Sequence, residues 1–216
     1  FTRSPIRITQ KIFDNFIDKG GHFTLTKVDS IFRKNDSLFL KCKEQEHQVD
    51  KIIVAAGAWS NVLARTIGDN FPLDTERGHH IMFEHNNNLI SRSVGWAKTG
   101  FYMTPMEDGI RAAGTVEIAG LKKPMNNNML TMIEATARSI LPQLGKVKSQ
   151  WMGFRPTLPD SLPVIGESQK CKNVYYAFGH QHLGLSLAAV TGKTIRSLIE
   201  NKPTNINIEP LSPYRF

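Results

Sequence analysis

Residues 151–184 read WMGFRPTLPDSLPVIGESQKCKNVYYAFGHQHLG. The first half sets Arg155 and Asp160 among large apolar residues, with Pro156, Pro159, Pro163 and two glycines. It is too apolar for a solvated loop and too proline-rich for a helix or a central strand. The second half reads differently. NVYYAF (173–178) is a short continuous apolar run, the mark of a buried strand. GHQHLG then turns the chain, and an apolar-periodic stretch from about Leu185 to Glu200 predicts a long helix. A buried strand, a glycine turn and a helix in that order belong to an α/β layer.

Upstream, VDKIIVAAG (49–57) is a second buried-strand signal that ends on small residues, and Ser60 is placed to cap a short helix reaching Ile67. Before it, HFTLTKVDSIF (22–32) and SLFLKCK (37–43) flank the turn-rich residues 33–36 and predict a β-hairpin. Ile8, Ile12, Phe13, Phe16 and Ile17 make a helical stripe over residues 6–19, which Gly20-Gly21 would stop. Between residues 71 and 150 the texture changes to short strand-like pieces: HHIMFE, SVGWA, GFYMTP and GIRAAGTVE. These predict an antiparallel sheet, with one helix around Met129–Leu141 ended by Pro142. The asparagine runs 86–88 and 126–128 read as loop clusters without chemistry. The expected fold is mixed α+β: one α/β layer system formed by 1–70 and 151–216, interrupted by a sheet domain over 71–150.

The chain has 216 residues, enough for two small domains. No apolar run reaches the roughly 18 residues of a membrane span, and residues 1–20 are charged throughout rather than leader-like. Net charge is +8, but the basic residues are scattered, with no run beyond Lys122-Lys123, so nucleic-acid binding is not expected. Cys42 and Cys171 form no metal-type pair or disulfide framework, which fits a reducing cytoplasm.

Three segments could carry chemistry. The helix after GHQHLG points its unpaired N–H groups and partial positive charge into the turn, favouring electron-rich ligand atoms. A plain βα turn with surface histidines is the alternative. His180 and His182 alone, with no Cys or carboxylate near in sequence, make a poor metal site. VAAGAWS (54–60) allows close backbone approach and adds the flat face of Trp59, or merely admits a neighbouring helix. Arg155, held extended by Pro156, needs an anion. Asp160 would make the pair structural, whereas a substrate carboxylate would make it functional. There is no G-x-S-x-G, no Walker sequence and no G-x-G-x-x-G.

Taken together, VDKIIVAAGAWS, RGHH, FYMTP, GIRAAGTVE, WMGFRPTLPDSLPVIG and NVYYAFGHQHLGLSLAAVTGKTIRSLI resemble the FAD-dependent D-amino-acid oxidase superfamily, in its glycine oxidase and D-amino-acid dehydrogenase branch. The resemblance covers nearly all of residues 22–200. It implies FAD as cofactor and a small amino acid as substrate, oxidised by hydride transfer to give an imino acid. By this match Ala56, Gly57 and Trp59 lie against FAD, and the backbone of Val28 meets the adenine. Gly179, His180, His182, Leu183, Gly184 and Leu185 surround the pyrimidine edge of the flavin. Arg155 grips the substrate carboxylate, and Tyr102, in Tyr-x-x-Pro, closes over it.

The family's opening strand–G-x-G-x-x-G–helix unit is not in this sequence, so residues 1–216 alone are expected to bind FAD poorly, as a fragment of a longer enzyme. A non-catalytic fragment serving as a binding or interaction module is the rival reading. Attachment to the inner face of a membrane and a respiratory electron acceptor both stay open, as does the oligomeric state.

Overall fold

The computed structural model describes residues 2–84, 89–97 and 99–216. Helix α1 (Pro5–Asp18) starts on a proline whose missing N–H costs nothing there, and it ends at Gly20, φ +87°. Strands β1 (Ser30–Lys34), β2 (Ser37–Cys42) and β3 (Gln45–Val49) form an antiparallel sheet in that order. The expected first hairpin strand is therefore shorter than residues 22–32. Phe23 and Leu25 are exposed and find no ladder partner there, and the tight turn falls at Asn35-Asp36, both with positive φ.

Strand β4 covers only Ile52–Val54, because Val49 belongs to β3. A 3-10 turn over Gly57–Trp59 leads into helix α2 (Ser60–Ala64). Ser60 is thus the first helical residue rather than its cap, and its side chain is buried.

Next come β5 (Asp74–Phe83), β6 (Val94–Trp96), β7 (Phe101–Met106), β8 (Gly109–Ala113), β9 (Glu117–Ile118), helix α3 (Asn127–Ile140) and β10 (Val147–Thr157). They pair in the order β10-β5-β8-β7-β6, with β9 on β5; the β5–β8, β8–β7 and β7–β6 pairs are antiparallel. The proline-bearing β10 takes an edge, where Pro156 withdraws no ladder bond from a central strand. Asn126 caps α3, its side chain accepting from the Asn128 N–H, so this cluster has a structural role. The Asn86-Asn87-Asn88 cluster lies outside the described residues. Strands β11 (Val164–Glu167) and β12 (Val174–Phe178) and helix α4 (Gly184–Ile199) complete the regular elements.

The chain divides into two compact units, Phe1–Phe23 with Glu76–Phe154 and Thr24–Thr75 with Arg155–Phe216. In the first, one face of the sheet (Ile81, Phe83, Phe101, Met103, Ile110, Ala112) packs on Leu130, Ile133 and Ala137 of α3. Residues 1–23 sort with this unit, whereas the sequence reading placed them with residues 24–70. The cause is local: the Glu107 N–H donates to Arg3 O, and Arg7 pairs with the Glu107 carboxylate. The apolar stripe of α1 is not buried at all, with Ile6, Ile12 and Phe16 exposed.

The second unit holds a sheet ordered β11-β12-β4, antiparallel on the first pairing and parallel on the second. Its core gathers Ile31, Leu38, Val54, Leu158, Val164, Val174 and Tyr176. The Phe71 ring stands edge-on to Tyr176 and Phe178, at 5.0 and 5.4 Å between centroids.

Candidate functional site

The parallel pairing of β12 with β4 matches Val174 to Ile52 and Tyr176 to Val54, so both strands run out at the same edge. Ala55-Ala56-Gly57 follows one strand end and the Gly179–Gly184 turn follows the other. Segments more than a hundred residues apart in sequence are thereby placed side by side. The carboxyl ends of parallel strands are where open α/β sheets place their ligands.

A cleft of about 490 Å³ opens there, lined by Ile53, Ala55, Ala177, His180, Gly184 and Thr191 among others. A second cleft, of about 320 Å³, is lined by Val28, Leu40, Ile52, Ala55, Ala56 and Leu63. Of the sequence-derived residues, His180 and Gly184 share the first cleft and Val28 and Ala56 share the second, with Ile53 and Ala55 bordering both. Gly57 (φ +55°) sits in open space, with no atom within 4 Å of where a Cβ would stand. Trp59 is 48% exposed, and His182, Leu183 and Leu185 are exposed and line neither cleft.

Two features of the turn set its chemistry. Gly179 has φ +87°, and a Cβ on it would meet Leu158 Cδ1 at 2.6 Å, so the bend demands glycine. Helix α4 begins after Leu183 with no side chain capping its first N–H groups. His180 Nε2 lies 2.9 Å from Thr191 Oγ1 one helical layer down, and burial pushes the imidazole pKa below its usual value. At neutral pH the cleft is therefore lined mostly by small and apolar groups and an uncharged imidazole, with Arg196 and Glu200 at the far end of α4. Thr191 and Ala177 went unnoticed in the sequence. Thr191 follows Gly184 by seven residues and Ala188 by three, a helical spacing that could have disclosed it.

Arg155 lies half-buried on β10, two residues from its end. Pro156 O accepts the Gln181 N–H at 3.2 Å, which fixes this end of the strand against the glycine turn. Asp160, one of the two anions weighed as a partner for Arg155, holds Arg215, with Nε to Oδ2 at 2.6 Å. Tyr102 belongs to the other unit, on β7, and is 59% exposed. Among the described residues no group of three or more His, Cys, Asp or Glu could hold a metal ion. No helix among them is long and apolar enough to cross a membrane.

The family model for FAD dependent oxidoreductases (DAO) matches residues 2–198. The chain belongs to that family. It is 38% identical over 173 residues to a D-amino-acid oxidase of Bradyrhizobium diazoefficiens, covering 77% of this chain and 41% of the relative. It is 30% identical over 167 residues to a glycine oxidase of Pseudomonas putida, covering 76% and 45%. Among solved structures it superposes on glycine oxidase from Geobacillus kaustophilus (TM-score 0.81, 23% identity, 90% of this chain and 53% of that one). L-proline dehydrogenase from P. horikoshii gives 0.85 at 21% identity, with 97% and 59% covered. These likenesses bear out the mixed α/β fold of D-amino-acid oxidase type. The chain spans less than half the length of these two curated relatives.

Proposed function

We propose that this chain is the substrate-binding and C-terminal portion of an FAD-dependent oxidoreductase that acts on a small amino acid: a D-amino acid, glycine or an N-alkyl amino acid. The observation that carries the reading is the Gln181–Pro156 hydrogen bond, which holds the segment bearing Arg155 beside the Gly179–Gly184 bend. The residues present fit the cofactor. Gly57 and Gly184 leave backbone open where a flat ring could lie, and the cleft at the two strand ends is apolar. The uncapped start of α4 favours an electron-rich ligand edge.

In this reading Ala56, Gly57, Trp59 and the turn from Gly179 through His180, His182, Leu183 and Gly184 to Leu185 hold FAD, with Val28 near the adenine. When bound, FAD supplies the acceptor for a hydride from the α-carbon, leaving an imino acid that water hydrolyses. Arg155 presents its fork to the substrate carboxylate and so fixes the α-carbon's orientation. Tyr102 supplies a hydroxyl to the same carboxylate.

A second reading rests on the span of the chain, 41% and 45% of the two curated relatives: taken alone it is a non-catalytic module of the family. One experiment separates the two. The absorbance spectrum is recorded for the 216-residue chain and for any longer protein that carries it. Oxidised-flavin bands that bleach on adding glycine or a D-amino acid support the first reading. A longer protein that is colourless and that no amino acid alters removes it.

A further inference from the structure

Arg77, on β5 in the first unit, is a fully buried cation. The Nε–Nη2 edge of its guanidinium is turned on the thioether sulfur of Met152, on β10, at 3.1 and 2.6 Å. Nη2 also donates to Pro124 O at 2.6 Å, whereas Nη1 is buried and meets no acceptor among the described residues. The Glu117 carboxylate lies 3.6 Å from Nε, beyond hydrogen-bond reach, and the same oxygen stands 3.7 Å from His79 Nε2. Its other oxygen accepts from Asn126 at 3.0 Å.

A guanidinium carries five N–H donors, and a thioether is among the weakest acceptors in a protein. A buried cation whose donors are poorly met is destabilising. Here two N–H groups converge on a sulfur at the separation they would keep from an oxygen. An oxygen in the place of that sulfur would make the contact a charge-assisted pair. Met152 can supply one. It is only partly buried, and β10 is an edge strand, so one flank of the strand has no ladder partner. Its neighbour Trp151 turns to the other face and stacks on His80 at 4.9 Å and 26°. The three rotatable bonds of methionine let the sulfur draw back by one S–O bond.

We propose that Met152 is a reversible oxidation site: hydrogen peroxide converts it to the sulfoxide, whose oxygen takes the Nε–Nη2 edge of Arg77 and fastens β10 to β5. The sulfur lone pair attacks one peroxide oxygen, so an S–O bond forms as the O–O bond breaks. Sulfur gives up two electrons, and the second oxygen leaves as water with both protons. A methionine sulfoxide reductase, drawing electrons from a thiol, restores the thioether. Methionine oxidation ordinarily loosens packing, because a polar group replaces an apolar one. Beside a buried guanidinium short of acceptors the sign reverses. The proposal concerns the first unit alone and stands independently of the functional reading above.

The test treats the full protein that carries this chain with dilute hydrogen peroxide and follows each methionine by peptide mass. Met125 and Met132 are the more exposed and should react first, then Met152, ahead of the buried Met103. After treatment the melting temperature should fall less in the parent than in Met152→Leu, which has no sulfur to oxidise at this position. A second pair of variants needs no oxidant. Met152→Gln carries an amide oxygen within reach of Arg77 and should melt about 3–10 °C above Met152→Leu, the scale of a charge-assisted hydrogen bond in a chain of this length. A Met152 still reduced when Met103 is oxidised overturns the proposal. So does a parent that loses as much as Met152→Leu, or a Met152→Gln that melts no higher than Met152→Leu.

Discussion

Asp160 holds Arg215 by a short charge-assisted hydrogen bond. The guanidinium Nε lies 2.6 Å from Asp160 Oδ2, and the second arm donates to Leu162 O at 2.7 Å. If the anion that Arg155 meets is the substrate carboxylate, Asp160 and Arg155 should behave independently on mutation. Arg155→Leu in the flavin-loaded protein should raise KM for the amino acid roughly 10- to 100-fold, the scale of a lost charge-assisted hydrogen bond, with flavin content preserved. Asp160→Asn should leave that KM alone and lower stability by at most about 1 kcal/mol, since the pair is partly solvated. A KM change shared by both variants would show that they form one structural unit.

Stability at low pH should carry the mark of the same carboxylate. The hydrogen bond from Arg215 holds the Asp160 pKa below its ordinary 3.8. A depressed carboxylate contributes stability that is full above the unfolded value and is lost as pH falls through the folded one. Urea melts between pH 5 and pH 2 should show a shallower acid limb for Asp160→Asn than for the parent.

His80 works over a different window. Its pKa falls from 6.5 to about 4, so between those values the unfolded chain binds the extra proton. Its contribution is complete above pH 6.5 and declines as pH drops toward 4. An NMR titration of the His80 Cε1–H should give a midpoint near 4. A midpoint near 6.5 would mean that the Trp151 stack and Arg111 do not surround it in solution.

Tyr176→Phe should cost about 1–3 kcal/mol. The Tyr176 hydroxyl donates to Asp69 Oδ2 at 2.6 Å inside the core, and burial with that carboxylate pushes the phenol pKa upward. Removing it takes one of two hydroxyl donors from Asp69 Oδ2 and leaves that of Ser168. A denaturant midpoint equal to that of the parent would show that water replaces the phenol.

The two bend glycines should separate folding from binding. At Gly179 an alanine meets a left-handed backbone and Leu158 Cδ1 at 2.6 Å, so Gly179→Ala should lower thermal stability by well over 1 kcal/mol. At Gly57 the space is open, so Gly57→Ala carries only the backbone term of about 1–2 kcal/mol. Its methyl would occupy the ground assigned to the flavin. Flavin retention on dialysis should drop more for Gly57→Ala than stability does.

Elements with strong periodicity or continuous apolar runs were legible in the sequence: α3, α4 and β12 fall within a residue or two of expectation. So was the use of proline to keep 151–157 off a central strand, since it forms an edge. What stayed hidden depends on tertiary partners. Residues 22–28 alternate like a strand yet join no ladder, and Ser60 has a capping side chain but sits inside the helix it was to start. The His80–Trp151 stack joins residues 71 apart whose proximity only the sheet register reveals. In the candidate site, glycine and small-residue runs were readable because backbone geometry demands them. Thr191 becomes a neighbour of His180 only through the docking of α4 on the strands.

The pairing of Ile52–Val54 with Val174–Tyr176 also has a temporal consequence. One half of the shelf beneath the proposed cofactor leaves the ribosome more than a hundred residues before the other. At about 5–20 residues per second the first half waits on the order of ten seconds for its counterpart. During translation Ile53 and Ala55 are left without their eventual neighbour, while the intervening sheet can already have collapsed on its own helix.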